Sequence, residues 1–381
     1  MKNLETLIQE LCPNGVEFVK LGDCCSFKRG TTITAKNAIP GDVPVLAGGQ
    51  KPAYYHNEAN RTGETIVVAG SGAYAGFVSY WTIPVFLSDS FSVEPDDRLV
   101  VKFVYYFLKN IQQKIFATKK GSGVPHVHGS SIEKFEIPLP PIEVQTEIVR
   151  ILDKFTSLEA ELEAELDCRK RQYEYYRDKL LSFDNVGGQE VTISKIGDIG
   201  RICMCKRIMK NQTNSESGIP FYKIGTFGKV ADAYISNDVY EEYKKLYSYP
   251  KKGDILMSAS GTIGRTVVFN GKPSYFQDSN IVWVDNDETK VFNSYLNYYY
   301  QIIEWKTQGG TIKRLYNNLL AGATIKYPSL EEQHRIVSIL DRFESLTTSL
   351  QSGLPAEIAA RRQQYEHYRD KLLTFKRKGA A

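Results

Sequence analysis

The chain has 381 residues, 24% of them charged, and a formal net charge of only +4. That length allows two or three domains, and so small a net charge excludes a polycation that holds nucleic acid by bulk charge; such binding has to come from local basic patches. No apolar run approaches the roughly 20 residues of a membrane span, the start MKNLETLIQELCP lacks a signal peptide's unbroken apolar core, and the six cysteines form no CxxC pair, so no membrane association, no zinc site and free thiols in a reducing cytoplasm are expected.

Residues 1–141 read as a mixed domain. Thr65–Ala69, Phe77–Trp81 and Phe91–Glu94 have the length and β-branched or aromatic content of strands. A helix is expected over Val101–Phe116. Two glycine turns stand out, Gly70-Ser71-Gly72 and Gly121-Ser122-Gly123. Lys119 and Lys120 precede the second, and His126 and His128 follow it. Exposed backbone N–H groups beside lysine suit phosphate, and histidines can reach base edges. The candidate contacts here are Ser71, Gly72, Lys119, Lys120, Ser122, His126 and His128. The plain alternative for any one turn is a solvated loop.

Residues 142–183 read as one helix, entered through Pro140-Pro141. Apolar residues recur every three or four positions, from Ile148 and Leu152 to Tyr176 and Leu180. Residues 184–329 form a second mixed domain. Its expected strands are Asp254–Met257, Thr266–Phe269 and Ile281–Val284, and its expected helix is Phe292–Trp305. Its turns are Ser260-Gly261-Thr262 and Gly309-Gly310-Thr311. Arg265 follows the first of these, and Lys313 and Arg314 follow the second. The candidates are therefore Ser260, Gly261, Arg265, Lys313 and Arg314.

Residues 330–376 read as a second long helix, with Ser329 and Glu332 spaced as a capping box. Pro355 should break or kink it. Residues 377–381 form a short tail. Neither helix can bury its own stripe, so the two are expected to pair antiparallel as a coiled coil. The expected seam runs through Ile148, Leu152, Phe155, Leu162, Tyr173, Tyr176 and Leu180 on one helix. On the other it runs through Ile336, Leu340, Phe343, Leu350, Tyr365, Tyr368 and Leu372. Arg177, Asp178, Arg369 and Asp370 lie on its flank, available for interhelical pairs or for a partner.

The halves are copies of one unit. IVRILDKFTSL (148–158) returns as IVSILDRFESL (336–346), and QYEYYRDKLLSF (172–183) as QYEHYRDKLLTF (364–375), identical at ten of twelve positions. KLGD (20–23) resembles KIGD (195–198), and Asp89-Ser90 matches Asp278-Ser279. The helices agree closely, whereas the globular parts agree only at turns and a few apolar positions. No phosphate loop, HExxH, GxSxG elbow, dinucleotide fingerprint or amino-methyltransferase signature is present. The acidic run at Asp287-Glu288 reads as a solvated turn. The HVH at 126–128 lacks a nearby acidic or thiol partner, so no metal is expected.

The duplicated tails, IEVQTEIVRILDKF…RKRQYEYYRDKLLSF and LEEQHRIVSILDRF…GLPAEIAARRQQYEHYRDKLLTF, each after a dissimilar globular half, resemble the specificity subunits of Type I restriction–modification systems. The resemblance implies an α+β protein: two mixed α/β target recognition domains separated by two long antiparallel helices in a coiled coil, a pseudo-twofold internal repeat. It implies that each domain reads one half of a bipartite double-stranded DNA target. The helices would space the readers and dock two modification (methyltransferase) subunits, with restriction subunits joining the full complex. The chain would be non-catalytic by itself, with S-adenosylmethionine, ATP and Mg expected only in partner subunits. The reading set against it is a coiled-coil adaptor that binds only proteins.

Overall fold

The computed structural model describes residues 4–183, 190–310, 313–349 and 352–379. The chain divides into two compact units, Met1–Glu163 with Glu357–Ala381, and Ala164–Ala356. Neither unit coincides with a run of chain ending at a helix boundary. Each takes one globular part, half of the first long helix and a piece of the second.

In the first unit α1 (Leu4–Leu11) precedes β1 (Glu17–Lys20), β2 (Cys25–Arg29), β3 (Val43–Leu46), β4 (Tyr54–His56), β5 (Thr65–Ala69), β6 (Val78–Trp81), β7 (Phe86–Leu87) and β8 (Ser90–Pro95). Then come α2 (Val101–Asn110), α3 (Gln112–Phe116), α4 (Gly129–Ile132), β9 (Glu136–Leu139) and the 41-residue α5 (Ile142–Ser182). β2-β8-β5-β6 form an antiparallel sheet. β4-β3-β7 form a second sheet with β3 and β7 parallel, and β1 pairs with β9. All five residues of β5 are buried. That accounts for its apolar run IVVA, because a strand covered on both faces has no polar side to alternate with.

The second unit repeats this wiring. It contains β10 (Thr192–Lys195), β11 (Gly200–Cys203), β12 (Thr213–Asn214), β13 (Ile219–Tyr222), β14 (Tyr234–Ile235), α6 (Asn237–Leu246), β15 (Ile255–Ser258), β16 (Thr266–Val268), β17 (Tyr275–Phe276) and β18 (Ile281–Asn286). These are followed by α7 (Asn293–Tyr299), α8 (Asn317–Gly322), β19 (Thr324–Tyr327), α9 (Leu330–Thr348) and α10 (Leu354–Leu372). The order β11-β18-β15-β16 matches β2-β8-β5-β6. The parallel pair β13–β17 matches β3–β7, and β10–β19 matches β1–β9. Among the described residues α6 has no counterpart in the first unit.

The second helix departs from the expected single span over 330–376. α9 ends at Thr348, and Gly353 sits at φ +84°. A Cβ there would meet the carbonyl oxygens of Leu346 and Ser345 at 2.7 and 2.8 Å, so the backbone at this break requires glycine. Pro355 lies in the first turn of α10, where its missing N–H costs nothing. The break is made ahead of the proline, not by it. At the start of α9 the Ser329 side chain accepts from the Glu332 N–H, an N-cap.

What holds each globular part to its helix is the same set of contacts twice. Gln145 and Gln333 are each 0% exposed, in the first turns of α5 and α9. The Gln145 amide accepts from Val100 N–H (2.8 Å) and donates to the carbonyls of Arg98 (2.9 Å) and Pro140 (2.8 Å). Gln333 accepts from Phe292 N–H (3.0 Å) and donates to Lys290 and Pro328 (2.9 Å each). Two turns further on, Tyr106 donates to Asp153 and Tyr298 to Asp341, both at 2.5 Å. Burial first, and the carboxylate second, push both phenols upward, so they remain donors.

The helices pair antiparallel inside each unit. In the first, Phe155 stacks on Tyr368 with centroids 5.4 Å apart, and Arg362 reaches Glu159 (2.6 Å) and Glu163 (3.1 Å). In the second, Tyr176 stacks on Phe343 at 5.7 Å. The contacts are not those of a free-standing coiled coil. Ile148 and Leu152 are buried in the first globular core with Tyr365 and Leu372 against it, and Ile336 and Leu340 in the second with Tyr173 and Leu180 against it. At the helix ends the fully covered residues are Leu181 (0%) and Leu373 (4%), one position beyond the expected Leu180 and Leu372. Tyr176 and Tyr368 keep 42% and 38% exposure. Leu162 is half-buried, outside both cores, and Leu350 lies outside the described residues.

Among the described residues, none of the expected flank residues forms an interhelical ion pair. Arg177 and Arg369 pair with the adjacent Asp178 and Asp370, lie over the rings of Tyr173 and Tyr365, and donate to Gln301 and Asn110. The repeated YRD motif thus binds helix to globular part.

Gln145→Ala leaves one N–H and two carbonyls without this partner and opens a cavity. It is expected to cost about 3 kcal/mol in urea unfolding of the purified chain, with Gln333→Ala similar. A loss below about 0.5 kcal/mol for both, no more than an ordinary surface substitution, contradicts the clamp.

Candidate nucleic-acid interface

In each unit the most buried strand delivers a glycine turn to the surface. β5 ends in Gly70-Ser71-Gly72. Gly70 N–H binds Asp89 O (2.9 Å), Gly72 N–H binds Pro125 O (2.9 Å), and Val127 N–H returns to Gly70 O (2.9 Å). Lys120 and His126 exchange both backbone hydrogen bonds, 2.9 and 2.8 Å. The segment 120–126 therefore hangs as a short hairpin on the first glycine turn. Gly121 closes it at φ +108°, where a Cβ would meet Val124 O at 2.8 Å.

The second unit is built alike. Ser260 bridges Arg314, and Arg314 exchanges both backbone hydrogen bonds with Gln308, 3.0 and 2.8 Å. Leu315 N–H returns to Ala259 O (2.9 Å). Ser71, Lys120 and His126 in one unit thus stand where Ser260, Gln308 and Arg314 stand in the other. The two turns of each half, distant in sequence, are brought together.

Beside each bridge lies a cleft. The first, about 250 Å³, is lined by Phe27, Arg29, Asp89, His126, His128 and Glu133 among others. The Ser71 hydroxyl donates to the Asp89 carboxylate, and Arg29 lies 3.8 Å from the same group. The His126 and His128 rings are exposed and parallel, 6.3 Å apart. The second cleft, about 490 Å³, is lined by Arg207, Lys210, Lys223, Asp278, Asn280 and Arg314 among others. Arg207 pairs with Asp278 at 2.9 Å, and Arg314 donates to Asn280 at 2.6 Å. Cations dominate the second lining, whereas Asp89 and Glu133 offset those of the first.

Not every expected contact faces a cleft. Ser260 is buried, and its hydroxyl donates to Asn280 (2.8 Å), so it supports the site from behind. Arg265 turns inward to the Ile224 carbonyl (3.3 Å) and over the Phe227 ring (5.4 Å). Lys119 is spent on Ala73 O (3.1 Å) and on the Phe116 ring. Lys120, Ser122, Gly261 and Lys313 are exposed, and Gly72 is half-buried at φ +82°. Thr311 lies outside the described residues. The Asp287 carboxylate accepts from Thr289, closing its own loop.

Arg29, Arg207, Lys210 and Lys223 were not among the expected contacts. A signal for two of them exists: Lys28-Arg29 and Lys206-Arg207 are matching pairs a short way past KLGD and KIGD.

The sequence model of the Type I restriction modification DNA specificity domain matches twice, over residues 13–167 and 188–360. A Haemophilus influenzae protein named as a type I restriction enzyme specificity subunit is 44% identical, over 98% of this chain and 100% of that one. The EcoR124I/EcoR124II specificity subunit of Escherichia coli is 29% identical over 94% of each. The Type I S subunit from M. genitalium shares the fold at a TM-score of 0.58 and 17% identity, over 94% of this chain and 96% of that one. A chain from a structure of type I R-M complex assembly does so at 0.59 and 19%, over 95% and 98%. The chain therefore belongs to the Type I restriction–modification DNA specificity family. Its function is DNA specificity, and an adaptor that binds only proteins is set aside.

Lys120→Ala removes an exposed cation from the first bridge and Lys210→Ala one that lines the second cleft. Each is expected to lower the slope of log affinity against log salt by about 0.9 in anisotropy titrations of the assembled complex on duplex DNA. Slopes that stay unchanged for both place the phosphate contacts elsewhere.

Proposed function

We propose that each globular half reads one part of a bipartite double-stranded DNA target through its cleft, and that the paired helices dock two modification subunits. Restriction subunits join the full complex in the cytoplasm. The carrying observation is the equivalence of the two clefts: the same strand wiring and backbone bridges present different side chains, His126 in one half and Arg314 in the other. Backbone amides and exposed lysines set register on the phosphates, and cleft side chains read base edges. The chain is non-catalytic by itself. S-adenosylmethionine, ATP and Mg belong to the partner subunits, and the adenine methylation they carry out is directed, not performed, by this chain. The exposed Tyr175 on α5 and its counterpart His367 on α10 lie on helix faces open to a docking subunit.

The test is independence of the two readers. In the assembled methyltransferase, His126→Ala with His128→Ala should degrade one half of the methylated motif, leaving the other half and the gap as they were. Genome-wide mapping of methyladenine checks this. An unchanged motif, or one altered in both halves, contradicts the proposal.

A further inference from the structure

We infer that Arg314 is the specificity-determining residue of the second half and that it reads a guanine. This rests on the proposal that the second globular half reads one half-site.

Three features separate Arg314 from the other cations of its cleft. Its backbone is held on both sides, by Ser260 through a bridge and by Gln308 through two hydrogen bonds. Its guanidinium is aimed: Nη2 donates to Asn280 Oδ1 at 2.6 Å, and that oxygen also accepts from the buried Ser260 hydroxyl at 2.8 Å. The aiming group is a neutral amide. Arg207, by contrast, lies against the Asp278 carboxylate. Arg314 therefore keeps its charge uncompensated by that contact, with most of its five donors left for a ligand.

A phosphate does not require such aiming, since a flexible exposed lysine satisfies it. A rigid guanidinium fork instead matches two adjacent acceptors in one plane. In the major groove guanine presents that pair, O6 and N7, whereas adenine sets a donor beside its N7. The neighbouring backbone shows where the half invests free energy. Ser279, between Asp278 and Asn280, sits at φ +53°, a conformation that costs a non-glycine residue and persists at functional sites.

The first half lacks the device. His126 occupies the equivalent position, and Asp89 stands where Asn280 does. The Asp89 carbonyl accepts the Gly70 N–H as that of Asn280 accepts the Ala259 N–H, and its side chain takes the Ser71 hydroxyl as Asn280 takes that of Ser260. The support is kept, but it carries a charge and faces no guanidinium fork at position 126. The inference is therefore confined to the second half.

The experiment uses the assembled methyltransferase and duplexes in which each base pair of the second half-site is replaced in turn. Wild type should discriminate at one G·C pair by about ten- to a hundredfold. Arg314→Gln should abolish that preference or move it to adenine, with the first half-site unchanged. Asn280→Ala, which leaves the arginine but frees it, should lose part of the preference. A second half-site with no guanine requirement overturns the inference whatever the variants do. So does an Arg314→Gln enzyme that keeps its preference at every guanine, or one weakened equally on all sequences, as a phosphate contact would be. If the paired histidine variant has meanwhile altered only the other half-site, the two-reader proposal survives and only the guanine assignment falls.

Discussion

A buried amide at the root of each long helix is the constraint on which the rest depends. Gln145 and Gln333, each 0% exposed, satisfy one N–H and two carbonyls apiece. A buried polar group is costly unless every partner is placed, so such a clamp admits one arrangement of helix start and globular part. Once α5 and α9 leave at fixed angles, Ile148 and Leu152, or Ile336 and Leu340, fall in turn onto the globular core. The tyrosine–aspartate pairs extend the grip by two turns. Stacking of Arg177 and Arg369 on Tyr173 and Tyr365 completes it at the far ends.

That frame leaves the clefts free to differ. β5 and β15 are buried along their whole lengths, so they present their glycine turns from a rigid base. What lies beyond the turn meets solvent and carries little of the packing energy. His126 can stand for Arg314, and Lys120 for Gln308, without disturbing the bridges, because those bridges are made by backbone atoms. This is the physical content of a sequence whose helices repeat closely while its globular parts diverge.

Much of this was legible from local pattern. A 41-residue helix declares itself through its period, and strands such as Thr65–Ala69 through their apolar runs. The duplication made each half a check on the other. What failed to be legible depended on contacts distant in sequence. Leu181 and Leu373, not Leu180 and Leu372, take the deepest positions because each helix end packs into a globular core. Pro355 looked like the helix breaker, yet Gly353 makes the turn, since the close carbonyls of Ser345 and Leu346 are visible only in three dimensions. Arg265 sits beside a glycine turn in sequence but points toward Phe227. The segment holding β12–β14 and α6 is polar, with short strands, and its elements showed no period to read.

The central proposal is that each half engages the DNA target through its own cleft. Hydrogen exchange of the assembled complex, with and without its cognate DNA, tests it most directly. The account predicts slowed amide exchange at both bridges, around Ser71 and His126 and around Ser260 and Arg314. Protection that appears at one bridge only, or at neither, would contradict it.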